Sequence, residues 1–305
     1  MKLKILIHIL VLTICCSYSM SKPDEWEIII LGIAQDAGYP QAGCKKSCCK
    51  AYWDGTNKRQ HATCLALLNR STKQAWLFEA TPDIKYQMHA LDTLGYELSG
   101  IFLTHAHVGH YAGLIHLGRE VMGTQDMPVF AMPKMKAFLE TNGPWSQLVS
   151  LNNISIKELK NESPVLLNRG MKVTPWLVPH RDEYSETVGY EMEGIDQTIL
   201  FIPDINKWET WNKDLAKEIK NVDYALLDAS FFADGELPGR DMSKIPHPFT
   251  TETMNLLKDL PAKEKSKVHF IHFNHTNPAL FESPERNQVF DRGFNIVHEG
   301  QMFKF

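Results

Sequence analysis

This sequence lacks several features that would place it in other classes. It has no large excess of one charge: 32 Lys and Arg stand against 36 Asp and Glu, a net of -4. That leaves no basic field for a phosphate backbone, so nucleic-acid binding is not expected. No internal repeat and no linker divides it. Its one leading apolar run, residues 5–16, is too short for a comfortable bilayer span. Cysteine is sparse, with six in 305 residues. A hydrophobic share of 44% excludes wholesale disorder and suits a globular chain.

The first 21 residues stand apart. Met1-Lys2-Leu3-Lys4 is a short basic start, residues 5–16 are apolar, and residues 17–21 are small and polar. That is the layout of a secretory signal peptide. The expectation is a leader over 1–21 and one domain over 22–305, exported to a periplasm or secreted, with no membrane span left after cleavage. Residues 12–16 loosely match a lipoprotein box, so a lipid anchor is the lesser alternative. Cys15 and Cys16 fall in the leader, leaving Cys44, Cys48, Cys49 and Cys64.

The pattern along the chain is strands in runs with helices interspersed. Strands are expected at 26–32, 63–68, 75–80, 98–104, 127–132, 154–159, 165–167, 171–178, 187–192, 198–202, 224–227 and 268–271. A final hairpin is expected from 295–297 and 302–305. Helices are expected at 84–94, 109–122, 133–141, 208–220 and 250–258, with the cysteine segment in a loop. A single α/β domain with two central sheets and outer helices fits this order.

The chain is organised around His105-Ala106-His107-Val108-Gly109-His110, where an apolar strand pattern gives way to a helical one. Two imidazoles two apart on extended chain share a side. The third swings back as the helix begins. Neutral imidazole is the commonest protein ligand for zinc. The same kind of residue recurs where other apolar runs end: His180, Asp204 and His272. Strand ends are held rigid by the sheet and left accessible by the loops, which is what a ligand site needs.

These residues resemble the metallo-β-lactamase fold, whose signature is His-x-His-x-Asp-His. The resemblance implies a four-layer αββα sandwich. It implies that His105, His107 and His180 hold a first metal and that Asp204 bridges two. His110 and His272 would help hold the second. The signature aspartate is Gly109 here, so a weakened second site or a single ion is expected, and Gly109→Asp is expected to add the second ion. Asp182, Glu183 and Asp83 are the neighbours named as substitutes.

Residues 31–41, 54–56, 77–84, 226–231 and 272–278 are similar to the pyrroloquinoline quinone biosynthesis protein B family. They are more distantly similar to the cyclic-phosphate phosphodiesterases of phosphonate breakdown. The latter resemblance implies a structural zinc on Cys44, Cys48, Cys49 and His275, with a disulfide among the cysteines as the alternative. It also places His247, in the irregular stretch 231–249, on the leaving group. Asp228 would orient a ligand histidine or cap its strand.

The expected activity is metal-assisted hydrolysis of a small molecule, first a phosphodiester or small cyclic phosphate, through a metal-bound hydroxide. Asp204 would help orient that nucleophile. Zinc is the expected ion, one or two in the centre, with iron or manganese as alternatives. The other classes are an iron-dependent oxidative step in quinone cofactor synthesis, and a non-catalytic exported metal-binding protein. Oligomeric state has no signal in the sequence.

Overall fold

The structure, a computed structural model, describes residues 25–305. The expected leader, with Cys15 and Cys16, lies outside the described residues. Among these the chain forms two seven-stranded sheets. The first half supplies β1 (Trp26–Gly32), β2 (Cys64–Asn69), β3 (Gln74–Phe78), β4 (Glu97–Phe102), β5 (Met127–Ala131) and β6 (Ile154–Glu158). The second half supplies β7 (Val165–Leu166), β8 (Lys172–Leu177), β9 (Val188–Glu193), β10 (Thr198–Ile202), β11 (Tyr224–Asp228), β12 (Val268–Ile271) and β13 (Asn295–Ile296). The last strand, β14 (Met302–Lys304), returns to the first sheet and pairs antiparallel with β1. The expected C-terminal hairpin is therefore not formed. β13 pairs parallel with β12, and the chain crosses between sheets before β14.

Helices occupy the connections: α1 (Ser47–Trp53), α2 (Ile84–Thr93), α3 (Val108–Tyr111), α4 (Pro133–Thr141), α5 (Trp145–Ser150), α6 (Leu215–Asn221), α7 (Thr250–Leu256), α8 (Ala262–Lys265) and α9 (Pro284–Asp291). Two expected helices are shorter than their apolar spacing implied. The run 109–122 is α3 followed by a 3₁₀ segment, Ala112–Leu117. The run 208–220 is a 3₁₀ turn, Trp208–Thr210, and then α6, whose start is fixed by the Asp214 carboxylate accepting from the Ala216 N–H. The cysteine segment, expected as loop, contains α1.

The four layers follow from alternation on strands buried on both faces. Ile28 and Ile30 of β1 join a core with Val173, Tyr190 and Met192 of the second sheet. The rings of Phe78 and Tyr190 meet across that seam at 5.3 Å. Ile29 and Leu31 turn the other way, into a core with Ile84, Leu91, Met135 and Leu139 from α2 and α4. On the far side Leu215, Ile219, Met254 and Val289 pack α6, α7 and α9 on the second sheet. Each such side chain contributes roughly 1.5–3 kcal/mol on burial. The architecture is αββα.

Strand direction then decides what gathers where. β10, β11 and β12 are parallel neighbours, with Ile202 level with Leu227 and Asp228 level with Ile271. β9 is antiparallel to both β8 and β10, so β8 runs with β10. The C-terminal ends of four strands of the second sheet therefore share one edge.

Candidate metal centre

That edge carries His180 after β8, Asp204 after β10, Asp228 at the end of β11 and His272 after β12. The loop after β4 brings His105, His107 and His110 against them. All six expected active-centre ligands meet in one place. His105 Nε2 lies 2.8 Å from His107 Nδ1, and His180 Nε2 lies 3.3 Å from the same atom. Asp204 completes the group, 3.4 Å from His105 and 3.3 Å from His180. Its Oδ2 is also 3.7 Å from His110 Nε2, so one carboxylate faces both halves of the centre.

The outer nitrogens of these rings fix which atoms point inward. Thr104 donates its hydroxyl proton to buried Glu79 (2.5 Å), so its oxygen accepts from His105 Nδ1 (2.8 Å). His107 donates from Nε2 to Glu183 (3.0 Å). His110 Nδ1 lies 3.1 Å from the Glu79 carboxylate, an ion-pair contact that is not aligned as a hydrogen bond. His272 donates from Nδ1 to Ser230 Oγ (3.1 Å), which in turn donates to Asp228 (2.8 Å). In the neutral rings these partners leave the other nitrogen free of a proton and facing the centre. Lone pairs on His105 Nε2 and His107 Nδ1, 2.8 Å apart, repel unless something positive lies between them. For bonds of about 2.0–2.1 Å around a tetrahedral zinc, ligand atoms sit roughly 3.3–3.5 Å apart. The Nε2 atoms of His110 and His272 are buried with no hydrogen-bond partner. The residues fit a metal, and the outer bonds are of the kind that hold ligand imidazoles in one tautomer.

The charges agree. Burial, helped by His110, holds His105 well below the usual imidazole range, neutral as a ligand must be. Burial opposes charge on Asp204 and Asp228, but the surrounding histidines, His247 foremost, hold both below the usual carboxylate range. Burial also opposes charge on His110. Glu79, with Asp204 and Asp36 beyond it, overrides that and raises its pKa to about 9. Without metal this centre stores protons on His110, and metal binding would release them.

His247, from the long loop, donates from Nδ1 to Asp228 Oδ2 at 2.9 Å and lies 3.2 Å from Asp204. Burial works against its charge, yet Asp204 and Asp228 raise it to about 9. Its other nitrogen is left for the cavity it lines. That cavity, about 260 Å³, is walled by Asp36, Arg181, Arg240, Asn274 and His275 besides His247. A larger hollow of about 540 Å³ lies elsewhere, beside Lys46, Cys48 and Thr276.

The second expected centre also assembles. Cys44, Cys48, Cys49 and His275 place one donor atom each within 4.8 Å of one another. The cysteines are free thiols, with Cys44 and Cys48 sulfurs 4.0 Å apart. Zinc–sulfur bonds of about 2.3 Å give sulfur–sulfur edges of roughly 3.8 Å. His275 Nδ1 is buried without a partner. Burial, with the neighbouring thiols, pushes Cys49 up to about 12 against a Gln41 N–H that favours the thiolate. Four donors closed around a point suit a structural cation.

The neighbours named as substitutes for the signature carboxylate are engaged elsewhere. Asp83 pairs with Arg59 and accepts from the Ala62 N–H, Asp182 accepts from Thr187, and Glu183 sits behind His107. The carboxylate beside His110 and His272 is Asp36. Gly109→Asp, expected to add an ion, has no room. A Cβ at Gly109 would lie 2.3 Å from Asp36 Cα. Glu79, Ser230, Arg181 and Arg240 join the site without a motif to mark them. Glu79 follows an apolar strand just as the chosen residues do, so the same rule would have found it.

Comparison with known proteins gives the same picture. The profile of the "Beta-lactamase superfamily domain" matches residues 76–272. Coenzyme PQQ synthesis protein B of Methylorubrum extorquens (strain PA1) is 27% identical over 307 residues, covering 90% of this chain and 98% of its own. The crystal structure of zinc-bound PqqB from Methylobacterium extorquens superposes with a TM-score of 0.77 at 23% identity, over 92% of this chain and 100% of that one. A diphosphatase from the PhnP family superposes with a TM-score of 0.63 at 19% identity, over 92% and 97%. The last two are likenesses of fold.

Proposed function

The chain belongs to the β-lactamase superfamily, and from that premise we propose that it is a metal-dependent hydrolase of phosphodiesters or small cyclic phosphates. The observation that carries this reading is the convergence of imidazole nitrogens and Asp204 beside a cavity walled by Arg181, Arg240 and His247. His105, His107, His180 and Asp204 would hold one ion, and His110 and His272 would share Asp204 with a second. Bound metal supplies an acidified water and positive charge for the oxyanion. Arg181 and Arg240 offer forked donors that match phosphate oxygens, which a neutral ester or lactam does not need. Asp204 orients the nucleophile. Asp228 fixes Nδ1 of His247 and holds its charge, so the free nitrogen donates a proton to the leaving oxygen. A fold neighbour named as a diphosphatase agrees with chemistry at phosphorus.

The test is turnover of bis(4-nitrophenyl) phosphate and of an alkyl aryl or cyclic phosphate by zinc- or manganese-loaded protein. His247→Asn should slow departure of an alkoxide much more than that of nitrophenolate, which leaves without a proton. A filled centre with no phosphodiester or cyclic-phosphate turnover removes the reading. A second reading rests on the relatives named for coenzyme PQQ synthesis, matched over 98% of their length. It requires iron in the centre and oxygen-dependent turnover, and metal analysis of protein isolated without added metal separates the two.

A further inference from the structure

We infer that Asp36, in the loop after β1, is the carboxylate ligand of the second active-centre ion, and that Gly109 is glycine because the Asp36 backbone occupies the space beside it. The inference deepens the metal-hydrolase reading and rests on its centre. His110 and His272 each present a buried, unpartnered Nε2. Two imidazoles and a shared Asp204 leave such an ion one ligand short. Asp36 Oδ1 lies 3.9 Å from His110 Nε2, and one donor atom each of Asp36, His110 and His272 lies within 4.8 Å of the others. Asp204 Oδ2 is 3.7 Å from the same nitrogen. Those four donors give two imidazoles and two carboxylates, a complete tetrahedral set for a divalent cation.

The loop is built to hold Asp36 there. Ile33 and Ala34 donate their N–H groups to the His61 carbonyl, at 3.0 and 2.9 Å. The Gln35 N–H donates to the Phe273 carbonyl, and the Phe273 N–H to the Ile33 carbonyl, both at 2.8 Å. The loop is thus laced to the residue that follows His272. Asp36 takes left-handed backbone, φ 46°, which aspartate tolerates better than most residues. A side chain at 109 would meet this loop head on, since its Cβ would sit 2.3 Å from Asp36 Cα and 2.8 Å from the Asp36 carbonyl oxygen. The carboxylate has moved from the helix start to the facing loop, and the helix start has given up its side chain.

The test is zinc stoichiometry and affinity of chelator-stripped, reloaded full-length protein, by elemental analysis and calorimetry. Asp36→Ala and the isosteric Asp36→Asn should each lose one zinc per chain relative to wild type, or bind it about 100-fold or more weakly, since even partners one bond further out cost 10–100-fold. The metal-free variants should melt with the metal-free wild type, which separates lost ligation from a lost loop. Equal stoichiometry and affinity in wild type and both variants overturns the inference. Because the readout is metal, three ions per chain in wild type (two in the histidine centre and one at the thiols) without phosphodiester turnover would sink the hydrolase reading and leave Asp36 standing.

Discussion

The two candidate metal centres are built in opposite ways. At the histidine centre the ligands come from five separate stretches of chain, and most rings are backed from behind, by buried Glu79 and Ser230 or by exposed Glu183. At the thiol centre three donors come from residues 44–49, and one, His275, comes from afar. Little stands behind those sulfurs beyond the Gln41 N–H on Cys49. The first arrangement fixes tautomer, direction and charge before any ion arrives, which chemistry on a substrate demands. The second needs only four donors closing on one point, which suffices to tie α1 to the C-terminal loops.

Three substitutions bear on that contrast. The largest effect is expected for His105→Ala. It should cost turnover well beyond 100-fold, since loss of an outer partner alone costs 10–100-fold, and remove active-centre metal while the thiol centre stays filled. Metal analysis beside an assay checks it, and loss of both metals would dissolve the contrast. Next is Asp228→Asn, which breaks the bond to His247 and disturbs the Ser230–His272 chain. A fall of about 10–100-fold in turnover with metal retained is expected. Unchanged turnover would mean the histidine centre does not depend on its backing. The smallest effect on turnover is expected for Cys49→Ser. It should empty the thiol centre and lower stability by about 2–3 kcal/mol, the large end for one substitution, with turnover little changed below the melting range. A collapse of turnover as deep as that of His105→Ala would make the two centres one unit.

The sequence carried the strand-end ligands because their signal is local. An apolar run closing on His105, His180, Asp204 or His272 announces both a strand and its exposed end. The two-sheet core was legible for the same reason, from runs buried on both faces. Asp36 was not legible. It lies in a loop with no periodicity, and only the folded chain brings it beside His110, His272 and Gly109. The shortened helices at 109–122 and 208–220 escaped because apolar spacing does not mark where packing stops a helix. At Gly113 a Cβ would lie 2.1 Å from the Thr81 carbonyl oxygen, a closeness no pattern of side chains reveals. The terminal hairpin failed because two short strands near each other in sequence joined different sheets.

The contact between Gly109 and Asp36 also constrains what this chain can become. Positions 73 apart in the sequence lie in backbone contact, and no side chain fits at 109 while the loop at 36 keeps its path. Restoring an acidic residue at 109 drives a side chain into backbone. A return to the His-x-His-x-Asp-His arrangement would require the loop after β1 to withdraw in the same step, so single substitutions offer no route back.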